Sequence, residues 1–320
     1  MRELIWSGFV LEAVKPVLGA VNSSPQNRVC AVIVTYNIGE AIHRCFNSIQ
    51  DQVTHVLIVD NASGEPTRRE LNKLASFDST TLILNERNEG LAHAFNQAVE
   101  WAKGNGFQWI LTLDHDSEAT PGMVDKLLRA CATLEEQGIQ DLGLIGANPF
   151  DVNAKHFLLF TPQDDSGLPV ENEETISSGC LISLRVFDKV ERFNEDLFMY
   201  YVDTDFCMRV LRAGFRVYIC PDAVLMHKEG SKMPRKFLWI HANYDHYGKA
   251  ARYYLMRNSI YMIKRHPLSI GDYYWMVRRH FKDHMKILLF DKERLSVLGY
   301  SLKGLIDGLR GKVGPMSSSD

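Results

Sequence analysis

The sequence has no Cys-x-x-Cys pair, no glycine-rich basic loop after its first strand, no internal repeat and no long apolar run free of charge. Each absence removes a class of protein. The six cysteines, Cys30, Cys45, Cys131, Cys180, Cys207 and Cys220, stand singly inside apolar segments, which predicts reduced core thiols and a cytoplasmic setting. No stretch reaches the roughly 18 uncharged apolar residues of a spanning helix. The N-terminal apolar stretch is broken by Glu12, Lys15 and Pro16, unlike a signal peptide. Without a basic loop to cradle a triphosphate, nucleotidyl transfer is disfavoured. A net charge of −3, from 36 basic and 39 acidic residues, argues against a partner that is nucleic acid.

What is present is an uneven distribution of charge. Residues 232–312 hold 17 Lys or Arg against 6 Asp or Glu, a local balance of +11, so the remainder is near −14. A basic C-terminal third suggests an anionic partner, either a membrane surface or a diphosphate-bearing acceptor, and equally suits a solvated helix face. The 320 residues accommodate three parts: an amphipathic N-terminal extension over 1–27, a main domain over 28–231, and a basic, mainly helical region over 232–320. In the first of these, Trp6, Phe9 and Val10 within 4–21 are suited to dip into a membrane interface.

From residue 28 to about 146, short β-branched runs alternate with amphipathic stretches, the pattern of βαβ units on a parallel sheet. Strands are predicted over 29–35, 55–60, 82–85, 109–113 and 142–146, then over 176–184 and 216–219. Helical stripes recur at Ile42, Cys45, Phe46 and Ile49, at Leu91, Phe95, Ala98 and Ala102, and at Val124, Leu127, Leu128 and Cys131. Thr120 and Pro121 are suited to start the last of these as cap and first residue. A loop is expected over 163–175, a helix over 203–213 ended by Gly214, and helices without strands from Phe237 onward. Ser317 to Ser319 reads as a disordered tail.

Ligands of open α/β sheets bind beyond the carboxyl ends of the strands. There the sequence places Thr35-Tyr36-Asn37, Asp60 to Gly64, Asn85 to Gly90, and Asp114-His115-Asp116. Any one of these is compatible with ordinary turn or cap chemistry. Together they suggest a site, in which two carboxylates one residue apart share a hard divalent cation that also takes diphosphate oxygens. Asp203 opens an amphipathic helix, where the backbone dipole favours the charged form that a general base needs; helix capping explains it equally well. His227 follows the last strand as either a metal ligand or a structural histidine.

On these residues the chain resembles the family 2 inverting glycosyltransferases of GT-A fold, in their rhamnosyltransferase-like branch. The likeness runs over about 28–265 and is carried by Val34-Thr35-Tyr36-Asn37, Val59-Asp60-Asn61-Ala62-Ser63, Asn88-Glu89-Gly90-Leu91-Ala92 with Asn96, Leu113-Asp114-His115-Asp116-Ser117, Gly179, and Tyr201 through Arg209. It implies a Rossmann-like mixed sheet flanked by helices, with a helical C-terminal extension. It further implies a nucleotide-diphospho-sugar donor, bound by Thr35, Tyr36, Asn37, Asp60, Asn88, Gly90, Asn96 and Asp114. Mg²⁺ or Mn²⁺ would be held by Asp116 and His227, with Asp114 as a further ligand, and Asp203 would be the base. Gly179, Asp205, Arg209, Arg252 and Arg257 are expected near the acceptor or its diphosphate.

Two positions depart from the family pattern: Val202 stands where many members have Glu, and His115 is unusual between the two acids. The branch implies dTDP-L-rhamnose as donor, with UDP-GlcNAc or UDP-galactofuranose as the alternative. The acceptor would be a saccharide or a polyprenyl-diphosphate-linked glycan at the inner face of the cytoplasmic membrane, in surface polysaccharide such as O-antigen. Peripheral membrane contact and a homo-oligomer are compatible with this reading. The rival from another class is a non-catalytic glycan-binding or scaffolding protein.

Overall fold

The computed structural model describes residues 28–160, 168–228, 232–237, 240–245 and 247–316. The expected 1–27 extension and the serine tail lie outside the described residues. Strand β1 (Val29–Thr35) is buried at all seven positions, as its unbroken apolar sequence requires for a central strand of a parallel sheet. Parallel to it run β2 (His55–Asp60), β3 (Thr80–Leu84) and β4 (Trp109–Asp114), giving the order β3-β2-β1-β4. The intervening helices are α1 (Ile42–Ile49), α2 (Glu65–Leu74) and α3 (Leu91–Gly104). Side chains of β1 alternate between two cores: Val29, Ala31 and Ile33 pack with α1, while Cys30, Val32 and Val34 pack with α3.

Beyond β4 come β5 (Glu118–Ala119), α4 (Met123–Glu136), β6 (Leu142–Asp151), β7 (His156–Phe157), β8 (Val170–Asn172), β9 (Cys180–Ser183), α5 (Val202–Arg212) and β10 (Arg216–His227). The sheet continues β4-β9-β6-β10-β5, with β6 parallel to β10 and β9 antiparallel to both its neighbours. It is therefore mixed, and this is the GT-A architecture. All six cysteines are free.

The structure corrects four local expectations. Helix α4 starts two residues later than Pro121, behind Gly122 in the left-handed region, because the Thr120 hydroxyl instead donates to Val224 O at 2.6 Å and ties the loop to β10. The strand expected over 176–184 is only four residues long, and β8 interrupts the expected loop over 163–175. The C-terminal region is not free of strands: β11 (Lys232–Phe237) and β12 (Ile240–Asp245) pair as an antiparallel hairpin, whose backbone ladder overrides the helical spacing of its aromatic residues.

Three helices follow, α6 (Lys249–Arg265), α7 (Ile270–Phe290) and α8 (Arg294–Arg310). A Cβ on Gly304 would lie 2.3 Å from Tyr253 O, so only glycine lets α8 lie this close along α6. Helix α7 opens with a capping box in which the Ser269 hydroxyl accepts from Asp272 N while Asp272 accepts from Ser269 N. Among the described residues, no helix is long and apolar enough to cross a membrane.

Candidate active site

The register of the central strands sets Thr35 beside Asp60 and Val34 beside Asp114, so three site residues leave the sheet at one edge. Asp60 is fully buried: its Oδ1 accepts from the hydroxyls of Thr35 at 2.8 Å and Ser63 at 2.5 Å, and its Oδ2 from Ser63 N at 2.8 Å. Asn37 joins the same two loops, accepting from Gly64 N and donating its backbone N–H to Ser63 Oγ. Asp60 and Asn37 thus pin the rim together, and Tyr36, 48% exposed, projects from it.

Next to this rim opens a cleft of about 1240 Å³, room for a nucleotide sugar and part of an acceptor. Thr35, Tyr36, Asn61, Asn88 and Gly90 line one part of it; Asp114, His115 and Asp116 another; Glu174, Tyr201 and Asp203 a third. Gly90 has φ +91, and its N–H donates to Asn88 Oδ1 at 3.0 Å.

Electrostatics single out the carboxylates. Burial raises Asp114, and the charges of Asp116 and Asp203 raise it further, while His227 and His115 pull it down. Burial also raises Asp203, against backbone N–H bonds from Thr204, Ser177 and itself. Glu174 is raised in the same way and accepts from the Thr204 hydroxyl at 2.5 Å. His227 Nδ1 lies 2.9 Å from Ser117 Oγ; Ser178 Oγ donates to that same oxygen and accepts from Asp114 N. One serine chain therefore links the histidine to the backbone of the acidic motif.

Hard oxygen donors crowded by their own charge suit Mg²⁺ or Mn²⁺. Among the described residues, however, no three His, Cys, Asp or Glu side chains gather as a ready-made cation shell. The fit is to a pair of aspartates completed by a ligand's own oxygens. The expected triad with His227 is not assembled.

The base candidate is reached through a strained turn. Phe198, Tyr200 and Tyr201 all have positive φ, and α5 begins directly after them. The buried Asn258 amide donates to the carbonyls of Leu197 (2.9 Å), Met199 (2.7 Å) and Tyr200 (2.9 Å). Arg257, 1% exposed, donates to Asp196 O, Leu197 O, Gly314 O and Asn258 Oδ1.

Arg257 is thus placed in the interior, where its donors hold carbonyls and have no opening onto the cleft. Arg252 also misses the main cleft: it is 5% exposed, 3.5 Å from Asp283 and over the ring of Tyr247. Asp205 is buried between Arg209 and His266, and Arg209 donates to Val190 O and Arg192 O, so both brace α5 from behind. Asn96 is equally structural, bridging Phe193 and Glu195. Gly179 sits in the sheet between Thr112 O and Ala147 N. Glu174 and Arg279 line the cleft although no local pattern marked them.

Residues 30–180 match the family model "Glycosyl transferase family 2". The chain is 27% identical over 300 residues, covering 90% of this chain and 97% of the relative, to dTDP-rhamnosyl transferase RfbF of Shigella flexneri. Over residues 30–180 the chain is thus similar to glycosyl transferase family 2. It also shares its fold with the solved structure of S. aureus TarS 1-349 in complex with UDP-GlcNAc, at 17% identity and TM-score 0.56, covering 89% of this chain and 81% of that one. The mannosyltransferase PcManGT from Pyrobaculum calidifontis, solved with GDP-Man and Mn²⁺, superposes with TM-score 0.52 at 16% identity, covering 89% and 76%.

Proposed function

We propose that this transferase moves L-rhamnose from dTDP-L-rhamnose onto a saccharide hydroxyl, with inversion of the anomeric carbon. The observation that carries the chemistry is a single cleft holding Asp114, Asp116 and Asp203. Asp203 takes the proton of the acceptor hydroxyl as that oxygen attacks the sugar; its raised pKa makes it a stronger base than an ordinary aspartate. Thr35, Tyr36, Asn88 and Gly90 line the donor's nucleotide end, with Asp60 and Asn37 fixing the loops behind them. Asp114 and Asp116 are the residues to hold Mg²⁺ or Mn²⁺, which when bound neutralises charge growing on the departing diphosphate. The rhamnose donor is supported by the similarity to a dTDP-rhamnosyl transferase.

The acceptor in this reading is a glycan on a polyprenyl diphosphate at the inner face of a bacterial membrane, in surface polysaccharide assembly. The TarS neighbour, solved with UDP-GlcNAc, favours a UDP-sugar as the second reading of the donor. Incubation with a panel of dTDP and UDP sugars, scored by released nucleotide diphosphate, separates the two, and NMR of the product reads its configuration. A retained configuration sinks the single displacement; no turnover with any donor favours a glycan-binding role.

A further inference from the structure

Helix α7 carries an apolar stripe that has no partner among the described residues. Ile270 (89% exposed), Tyr274 (60%), Val277 (66%), Phe281 (66%), Met285 (40%) and Leu288 (42%) recur at steps of three and four residues, so they form one face along its whole length. An aliphatic and aromatic surface this continuous is not ordinary for a solvated helix. Arg278 and Lys282, each next to a stripe residue and four apart, stand on the flank of the stripe, the arrangement of a helix lying in a lipid interface. Helix α8 presents Leu295 (82%), Leu302 (57%) and Leu309 (60%) likewise.

The same helix reaches the active site. Arg279 stands two residues from both Val277 and Phe281, which on a helix is the opposite side, and it lines the catalytic cleft. Four carboxylates line that cleft, Asp114, Asp116, Glu174 and Asp203, and among the described residues Arg279 is the one Lys or Arg that does. Its charge acts on Glu174 and Tyr201, beside the base, whereas Asp114 is acted on by His227, Asp116, His115 and Asp203. The cation therefore belongs to the part of the cleft lined by Glu174 and Tyr201.

We propose that α7 is the docking helix for a lipid-linked acceptor: its outer stripe lies in an anionic bilayer and Arg279 takes the acceptor's diphosphate at the cleft. This rests on the transferase reading only for the word acceptor. A two-fold pairing of copies through the stripe would bring Arg278 and Lys282 of both copies together, within a segment already at +11, whereas anionic headgroups complement them.

Flotation of the full chain with phosphatidylcholine vesicles, with and without phosphatidylglycerol, tests the surface. Wild type should float with the anionic vesicles, and the Val277→Asp, Phe281→Asp double variant should stay behind while binding dTDP with unchanged affinity. Geranyl diphosphate, titrated in saturating dTDP, tests the cation: Arg279→Gln should weaken it about tenfold and leave flotation intact. Three results overturn the proposal: wild type that does not float, a double variant that floats as wild type does, or a wild-type dimer that the double variant abolishes. Geranyl diphosphate binding unchanged by Arg279→Gln removes the role of the cation. Donor turnover in the soluble double variant shows that the transferase reading survives such a failure.

Discussion

Gly90 meets Phe198 so closely that a Cβ on the glycine would lie 2.6 Å from the Phe198 carbonyl oxygen and 2.7 Å from its ring. The neighbouring Leu91 N–H donates to that same oxygen at 2.7 Å. The donor-side loop and the turn before Asp203 are thus in direct register. Gly90→Ala adds both a clash with backbone and a left-handed φ of +91. It should cost about 3 kcal/mol in urea unfolding and lower donor affinity; an alanine variant of wild-type stability and affinity would show that the two loops are independent.

Asp203 should behave as a base whose proton is held more tightly than in an ordinary aspartate. Asp203→Asn is expected to lower kcat by roughly 10²- to 10⁴-fold while dTDP binding, read by calorimetry, stays as in wild type. Because burial raises the carboxyl, acidification protonates it early. The acid limb of the kcat/KM profile should therefore lie above the ordinary aspartate range near pH 4. A limb at or below that range would remove Asp203 from the role.

Much of this was legible in the sequence, for a physical reason. β1 and β2 are continuous β-branched runs ending in polar residues, and both strand bounds and the positions of Thr35 and Asp60 follow from that pattern. The acidic motif was equally plain at the end of β4. What stayed hidden depends on the tertiary fold. The resemblance set Asn96 at the donor and Arg257 near the acceptor or its diphosphate, because the carbonyls that they hold instead come together only in the fold, and Glu174 sits in a stretch with no periodicity. Arg279 reaches the cleft only because α7 packs beside it.

The crowded carboxylates should cost stability. Asp114 binds its proton more tightly in the folded chain than in the unfolded one, so its contribution is fully present below the unfolded value near pH 4 and is lost as pH rises through the raised one. Asp114→Asn should then stabilise the metal-free protein at neutral pH by about 1 kcal/mol. Added Mn²⁺ should raise the melting temperature of wild type more than that of the variant. Equal responses to Mn²⁺ would place the cation elsewhere.

Arg257 separates a structural from a substrate-binding role cleanly. A guanidinium that met the acceptor's phosphate would lose affinity when shortened, with folding intact. Here its donors reach Asp196, Leu197 and Gly314 carbonyls inside the protein, and Asn258 shares the Leu197 carbonyl and holds two more, of Met199 and Tyr200, along the same turn. Arg257→Ala leaves those acceptors buried and unmatched, so unfolding should come about 3 kcal/mol more easily. Asn258→Ala frees a turn with three left-handed residues directly before α5, so Asp203 should lose its aim: kcat falls while KM for the donor holds. The pair of outcomes is decisive because a phosphate ligand predicts the reverse, a risen acceptor KM at unchanged stability.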